Sequence, residues 1–440
     1  MSKPGIVYIV HHIDTEGPLY ESLEDLFSRI NNTFSVDLEP SIQNIENLRE
    51  NTFNIEKDKH KEILYFLEPH FLDFNSDWSQ IEKMTSQITS NKFRNKDIDS
   101  FGGGWLFNWH VMDHVGFNDI NPRRRTLGYH QILDYYIKLV KTNPQDSIHW
   151  HFHPISFSKS AHIPATSYDN SMNVLHDIIS RRLIDKHIFP VVNRAGFHTV
   201  RPDSNLFLEQ WIPFDASNQS VDASLTPKHQ NDFLNGRFGD WRGAPDDWSI
   251  YSPDFKDWRK SGKLNRKIAR VLNMKSRHKE INQIEIKKAF EKAICGDNVY
   301  LGITNHDWRN MEVEIDEFRD LFLKVKKSYP GVNYKYSETK QAFRAVLNFG
   351  KQEPLNFNID LINNVLKCSI TTGEIFGPQP YLAIKTINEN YLHDNFDFGK
   401  DSNQFTYTFD SYTVSISEVK SIFVASNDKY GNTCIKSINL

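Results

Sequence analysis

The sequence predicts an α/β chain: a barrel-like fold with its site at the strand ends, followed by a small all-β domain. Three observations predict this. Short β-branched apolar runs recur at 6–10, 147–148, 188–192 and 299–303, each leading into a polar cluster. Segments with apolar residues at helical spacing lie between them, at 128–142, 173–184, 204–211 and 284–294. After about residue 348 the texture changes to short alternating runs at 363–371, 381–387, 404–409, 412–416 and 421–425, separated by Gly, Asn and Asp. Strand–tip–helix units that recur in this way place chemistry just past the carboxyl ends of parallel strands. The expected division is therefore a catalytic barrel over 1–347 and a β-sandwich over 348–440.

The first run, 6–10, is short enough for a buried strand and ends in histidines and acids. From about 19 to 100 the chain turns charged and helix-like, as at 20–27 and 77–88, which reads as a helical insertion after the first strand. Glycines at 102–104 mark a turn before an aromatic stretch, 105–109.

Composition bounds the function. A chain of 440 residues that is 39% hydrophobic and 13% aromatic can bury a large core. A net charge of −4 offers no basic field for nucleic acid or an anionic membrane surface. Three widely spaced cysteines, Cys295, Cys368 and Cys434, form neither a disulfide framework nor a thiolate zinc site. No run approaches the ~18 apolar residues of a membrane span, and the five-residue run at 6–10 is too short for a signal-peptide core. The expectation is a soluble cytoplasmic protein.

The most informative stretch is His149-Trp150-His151-Phe152-His153-Pro154. In an extended segment all three imidazoles face one side; in a turn, His149 and His153 converge. Imidazole suits a zinc-like ion, and catalytic sites commonly combine three protein ligands with an open position. The second stretch is Asp14-Thr15-Glu16-Gly17, whose two acids also share a side: one can ligate a metal while the other serves as base. Arg194 follows the run at 188–192 and is placed to hold such a base ionised, with Gly196 allowing close backbone approach. His306 and Asp307 end the run at 299–303 as a candidate acid and its carboxylate, which would raise the imidazole pKa. Arg123, Arg124 and Arg125 form a charge run suited to phosphate or carboxylate. Trp105, Trp109, Trp241, Trp248 and Trp308 lie near these tips, where aromatic rings can meet sugar faces.

Read in order, the tips resemble the motifs of the polysaccharide deacetylase (NodB-homology, carbohydrate esterase 4) superfamily over roughly residues 5–345. Asp14-Thr15-Glu16 resembles its first motif, which implies Asp14 as base and Glu16 as metal ligand. His149 and His153 match the H-x-x-x-H second motif and its two imidazole ligands. Asn193-Arg194-Ala195-Gly196 resembles the third, Asp215 falls at the fourth-motif aspartate, and His306 at the fifth-motif acid. Asp113-His114, Asn121–Arg125, Asp240-Trp241-Arg242 and Asn305–Arg309 are similar to segments of deacetylase-like proteins of bacterial O-antigen gene sets. That likeness implies Asp113, His114, Arg123–Arg125, Trp241, Arg242 and Arg309 as substrate contacts. The chain departs from the family in spacing its acids as D-x-E, so either acid can take either role. His151 leaves the ligand pair as His149/His153, His149/His151 or His151/His153.

The resemblance implies a distorted (β/α)7-type barrel, one divalent ion, usually zinc, and hydrolysis of an N-acetyl group from an amino sugar. In a cytoplasmic setting the substrate would be a nucleotide-linked or lipid-linked sugar, and the β domain would serve packing or homo-oligomerisation. The competing readings are a metal-dependent glycosidase, a phosphoesterase and a non-catalytic sugar-binding protein.

Overall fold

The computed structural model describes residues 3–113, 130–157, 165–198, 200–222, 227–236 and 239–440. The first strand, β1 (Ile6–Thr15), organises the molecule. An insertion of six helices follows: α1 (Leu23–Phe34), α2 (Ile42–Arg49), α3 (Lys57–Phe66), α4 (Pro69–Leu72), α5 (Trp78–Ile88) and α6 (Asn91–Arg94). The chain then runs through β2 (Asn108–Met112), α7 (Gln131–Thr142), β3 (Ser147–Phe152), α8 (Met172–Lys186), β4 (Val192–Ala195), α9 (Pro202–Trp211) and β5 (Phe214–Asn218). It continues with β6 (Lys267–Asn273), α10 (Gln283–Ile294), β7 (Val299–His306), α11 (Met311–Lys326), β8 (Asn333–Tyr336) and α12 (Thr339–Val346).

Strands β1 to β7 are parallel and close into a barrel through the β1–β2 pairing. The closure is uneven. The amino half of β1, from Ile6 to Ile9, pairs with β8, whereas its carboxyl half, from His12 to Thr15, pairs with β2 on the same edge. The Asn108 side chain spans this fork. Its Nδ2 donates to the His11 and Ser337 carbonyls, and its Oδ1 accepts from the Thr339 amide and the Ser147 hydroxyl. Backbone groups that the split ladder would leave unmade are thereby satisfied.

Period-2 alternation fills the interior in layers. At the amino end Val10, Val192, Phe214, Ala216, Ala269, Val271 and Tyr300 meet Ala342 and Phe343 of α12, which plugs the barrel; Phe343 stacks on Phe214 at 4.4 Å. Above this apolar floor the inward residues become histidines, carboxylates and Arg194, so the polar chemistry is confined to the carboxyl end.

The insertion has its own core, including Leu26, Ile30, Phe34, Leu48 and Phe66. It leans on the barrel mouth: the Tyr65 hydroxyl lies 2.6 Å from Glu280 Oε2 and 2.9 Å from the Ser276 carbonyl, and Asn75 Nδ2 donates to the Asp307 and Arg309 carbonyls. It lies between β1 and β2 in the chain.

The carboxyl segment forms β9 (Asn356–Ile362), β10 (Val365–Thr372), β11 (Tyr381–Thr386), β12 (Tyr391–Asp394), β13 (Asp397–Phe398), β14 (Gln404–Thr408), β15 (Val419–Asn427) and β16 (Thr433–Asn439). They make two four-stranded antiparallel sheets, ordered β13-β14-β10-β9 and β12-β11-β15-β16, that share a core of Phe357, Leu366, Cys368, Leu382, Ile384, Ile422 and Val424. The other face of the second sheet, with Tyr381, Ala383, Phe423 and Ala425, packs on Leu175, Ile179 and Leu183 of α8 and Phe207 and Trp211 of α9.

Two expected strands are corrected. The run at 188–192 is not a strand: Pro190 supplies no amide hydrogen, and β4 starts only at Val192. Residues 412–416 form a turn and the start of a short helix, because the Asp410 carboxylate captures the Tyr412 amide at 2.8 Å. Among the described residues no helix is long and apolar enough to cross a membrane.

Candidate metal centre

At the barrel mouth, Glu16 follows β1, His151 lies on β3 and His153 follows β3, all buried. The Nε2 atoms of the two histidines are 2.9 Å apart, and Glu16 Oε1 is 3.2 Å from His153 Nε2 and 3.6 Å from His151 Nε2. Donor atoms bound to one zinc at ~2.0–2.2 Å sit roughly 3.0–3.6 Å from one another. The triangle fits a single small cation. Among the described residues it is the one group of three or more such side chains whose donor atoms gather this closely.

Protonation points the same way. His151 Nδ1 lies 2.9 Å from the Arg194 carbonyl, which can only accept, so the ring hydrogen sits on Nδ1 and Nε2 presents its lone pair. A carbonyl on the far nitrogen is a common device for fixing a metal-binding tautomer. Gly196 keeps the second histidine in place. A Cβ there would lie 2.3 Å from His153 Cδ2 and 2.3 Å from the Phe152 carbonyl oxygen.

Asp14 stands next to this triangle, 2% exposed. Its Oδ1 accepts from Arg194 Nε at 2.5 Å, and Arg194 Nη1 is tied to the Ala216 carbonyl at 2.9 Å, so the guanidinium is aimed by two strands. Burial alone would push the Asp14 carboxyl up. The Arg194 charge, with His151 and His306 beyond it, outweighs burial and holds it below the ordinary carboxylate value. His306, the last residue of β7, places Nε2 3.7 Å from Asp14 Oδ2 and lies tilted against the Trp308 ring, centroids 4.6 Å apart.

His149, expected as a ligand, is corrected. Alternation turns it inward with His151, but two residues along a strand is a step of about 6.6 Å, which sets it one layer deeper. There Nε2 lies 2.8 Å from the Ser147 hydroxyl and 3.5 Å from Glu338 Oε1. The pair left open as His151/His153 is the one that meets Glu16.

The acid side also differs from expectation. Burial lowers His306 to about 4 despite the opposing carboxylates of Asp14 and Glu16, so it is neutral at rest rather than a raised, protonated donor. Asp307 does not tune it. Neighbours on a strand end project oppositely, and the Asp307 carboxylate instead receives the Glu16 amide at 2.9 Å, the Gly17 amide at 3.0 Å and the Tyr136 hydroxyl at 2.8 Å. It positions the turn that carries Glu16. Asp215 faces away from the mouth, opposite to the inward Phe214 and Ala216, with Asn193 Nδ2 at 3.1 Å, Ser217 Oγ at 2.5 Å and Arg266 Nε at 3.5 Å.

Of the expected substrate contacts, Asp113 is turned to α8, accepting from Arg182 Nε at 2.8 Å with His130 Nδ1 at 3.3 Å. Trp241 is core, packed with Trp258, Tyr251 and Ile268. Arg242 is exposed and paired with Asp240. Arg309 is buried against the Lys275 carbonyl and Glu314. Each is engaged in holding local structure. His114, Arg123, Arg124 and Arg125 lie outside the described residues.

Beneath the centre lies a chain that motif reading missed. His110 Nδ1 faces the Trp150 carbonyl at 3.3 Å, His110 Nε2 faces His12 Nδ1 at 2.8 Å, and His12 Nε2 faces the Tyr300 hydroxyl at 2.9 Å. The terminal carbonyl fixes every proton along it, and burial holds both imidazoles neutral, far below their ordinary value. The signal was present for His12, two residues before Asp14 and thus on its face; His110 was hidden at the edge of an aromatic stretch. Compared with protein-family models, curated proteins and solved structures, the chain matches none of them.

Proposed function

We propose that the protein is a metal-dependent amide hydrolase that removes an N-acetyl group from an amino sugar, on a (β/α)7-type barrel of the polysaccharide-deacetylase kind, with zinc as its ion. The observation that carries this reading is the meeting, at one barrel mouth, of the Glu16–His151–His153 donor triangle with an arginine-held carboxylate, Asp14. A divalent ion held by those three atoms would supply Lewis-acid chemistry, polarising an amide carbonyl and acidifying water near neutral pH.

The chain's own residues supply the rest. Asp14, kept ionised by Arg194, accepts a proton from the attacking water at Oδ2, the oxygen that Arg194 Nε does not engage. The water oxygen joins the acetyl carbon and the C–N bond breaks. His306 Nε2, 3.7 Å from that same Oδ2, is placed to take the proton and deliver it to the departing nitrogen. Because His306 is neutral at rest, its proton comes from within the turnover, and Asp14 is the group positioned to give it. Acetate and a free amino sugar result.

The sugar is proposed to arrive on a nucleotide or lipid carrier during surface-polysaccharide (O-antigen) assembly. The test is acetate release from UDP-linked and lipid-linked N-acetyl sugars, before and after chelation and zinc restoration. Release that a chelator stops and zinc restores is expected. No release from any such amide, with metal still bound, overturns the reading; release of a sugar instead of acetate identifies a glycosidase.

A further inference from the structure

Past the strands that carry the metal ligands, β5 and the loop after β6 bring a buried amide and an ammonium together. Gln219, one residue past β5, is 1% exposed, and its Nε2 is buried without a hydrogen-bond partner. Its Oε1 is turned to Lys279 Nζ at 3.4 Å, which fixes the amide so that Nε2 points elsewhere. That contact is the ammonium's one hydrogen bond among the described residues. Arg194, at the tip of β4, adds a third donor: its Nη2 is buried and unpartnered.

The Lys279 backbone holds this position deliberately. The residue takes φ 60, a left-handed conformation that costs a non-glycine side chain on the order of 1 kcal/mol. The loop is pinned on both sides. The Asn273 amide donates to the Lys279 carbonyl and the Asn273 carbonyl accepts from the Ile281 amide, and Tyr65 of the insertion grips Glu280 and Ser276. Burial and the Arg194 charge depress the ammonium to about 8, against the opposing pull of Asp240, as befits a cation short of counter-charge.

We infer that Lys279 and Gln219 form an anion subsite beside the metal centre, so that the substrate is an acetamido sugar carrying a carboxylate or phosphate. The inference rests on the amide-hydrolase reading for its sugar but not for its anion. A buried amide N–H and an ammonium at one wall offer charge-assisted donation that a neutral hydroxyl would answer only weakly.

The test is calorimetric binding, without turnover, to the full-length zinc-loaded Asp14→Asn protein. The probes are N-acetylglucosamine (neutral), N-acetylmuramic acid (carboxylate) and N-acetylglucosamine 1-phosphate (phosphate). At least one anionic sugar should bind tenfold or more tighter than the neutral one, and which of them does so names the source of the charge. Adding Lys279→Met should abolish that preference, and Lys279→Arg should restore most of it. Equal affinity for all three sugars, including no measurable binding of any, overturns the subsite, as does a preference that survives Lys279→Met. Anion preference that depends on Lys279, together with no acetate release by the wild-type protein carrying Asp14, would sink the hydrolase reading alone.

Discussion

His151 Nε2 and His153 Nε2 lie 2.9 Å apart, and the carbonyl behind His151 leaves its near nitrogen without a hydrogen. Two imidazoles so close, with the Glu16 carboxylate completing the triangle, are arranged to share one cation.

That arrangement divides the histidines of β3. His153→Ala and Glu16→Ala should each weaken zinc binding roughly a hundredfold or more, whereas His149→Ala should keep one zinc per chain at near wild-type affinity. Equilibrium dialysis with metal analysis checks this. Loss of metal from His149→Ala would restore the H-x-x-x-H pairing.

Asp14 and Arg194 separate chemistry from stability. Asp14→Asn should bind zinc normally yet lose turnover by a factor on the order of 10²–10⁴. Arg194→Met leaves a buried carboxylate unpaired and should cost about 3–5 kcal/mol in unfolding free energy, read by denaturant titration. Full acetate release by Asp14→Asn would remove it from the role of base.

Gly196 supplies a steric test. Its φ lies outside the left-handed region, so Ala suits the backbone there, but the added Cβ would overlap His153. Gly196→Ala should weaken zinc binding at least tenfold and, because the Cβ also meets the Phe152 carbonyl oxygen, cost about 1–3 kcal/mol of stability or more. Unchanged metal affinity would show that His153 can shift freely.

Asp113 gives a pH signature. Burial opposes its charge, but Arg182 and His130 lower it from 3.8 to about 2. A carboxyl depressed on folding stabilises fully above its unfolded value and loses that contribution as pH falls through its folded value. About 2 kcal/mol should therefore disappear between about pH 4 and pH 2. The stability gap between wild type and Asp113→Asn should close over that window and stay constant above pH 5.

Tertiary packing, not any local motif, placed Lys279 and Gln219 together. One sits in an irregular loop after β6 and the other just past β5, sixty residues apart in sequence. Nothing in either neighbourhood distinguishes them from surface polar residues.

By itself the sequence determined what alternation and periodicity can encode. Buried runs at β1, β3 and β7, helices between them, the insertion after β1 and the paired sheets after residue 348 were all legible, because each is set by which side chains must leave water. So was the choice of Glu16, Asp14, Arg194 and the histidine stretch as neighbours, since strand tips of a barrel converge. Depth was not legible. His149, His151 and His153 share a face, and only the stagger of closed, tilted strands decided that the deepest of them meets Ser147 and Glu338 while the outer two meet Glu16. The direction of the His306 shift was likewise decided by burial, which no dipeptide reveals, and the role of Asp307 by which face of the β7 end the chain turned toward Glu16.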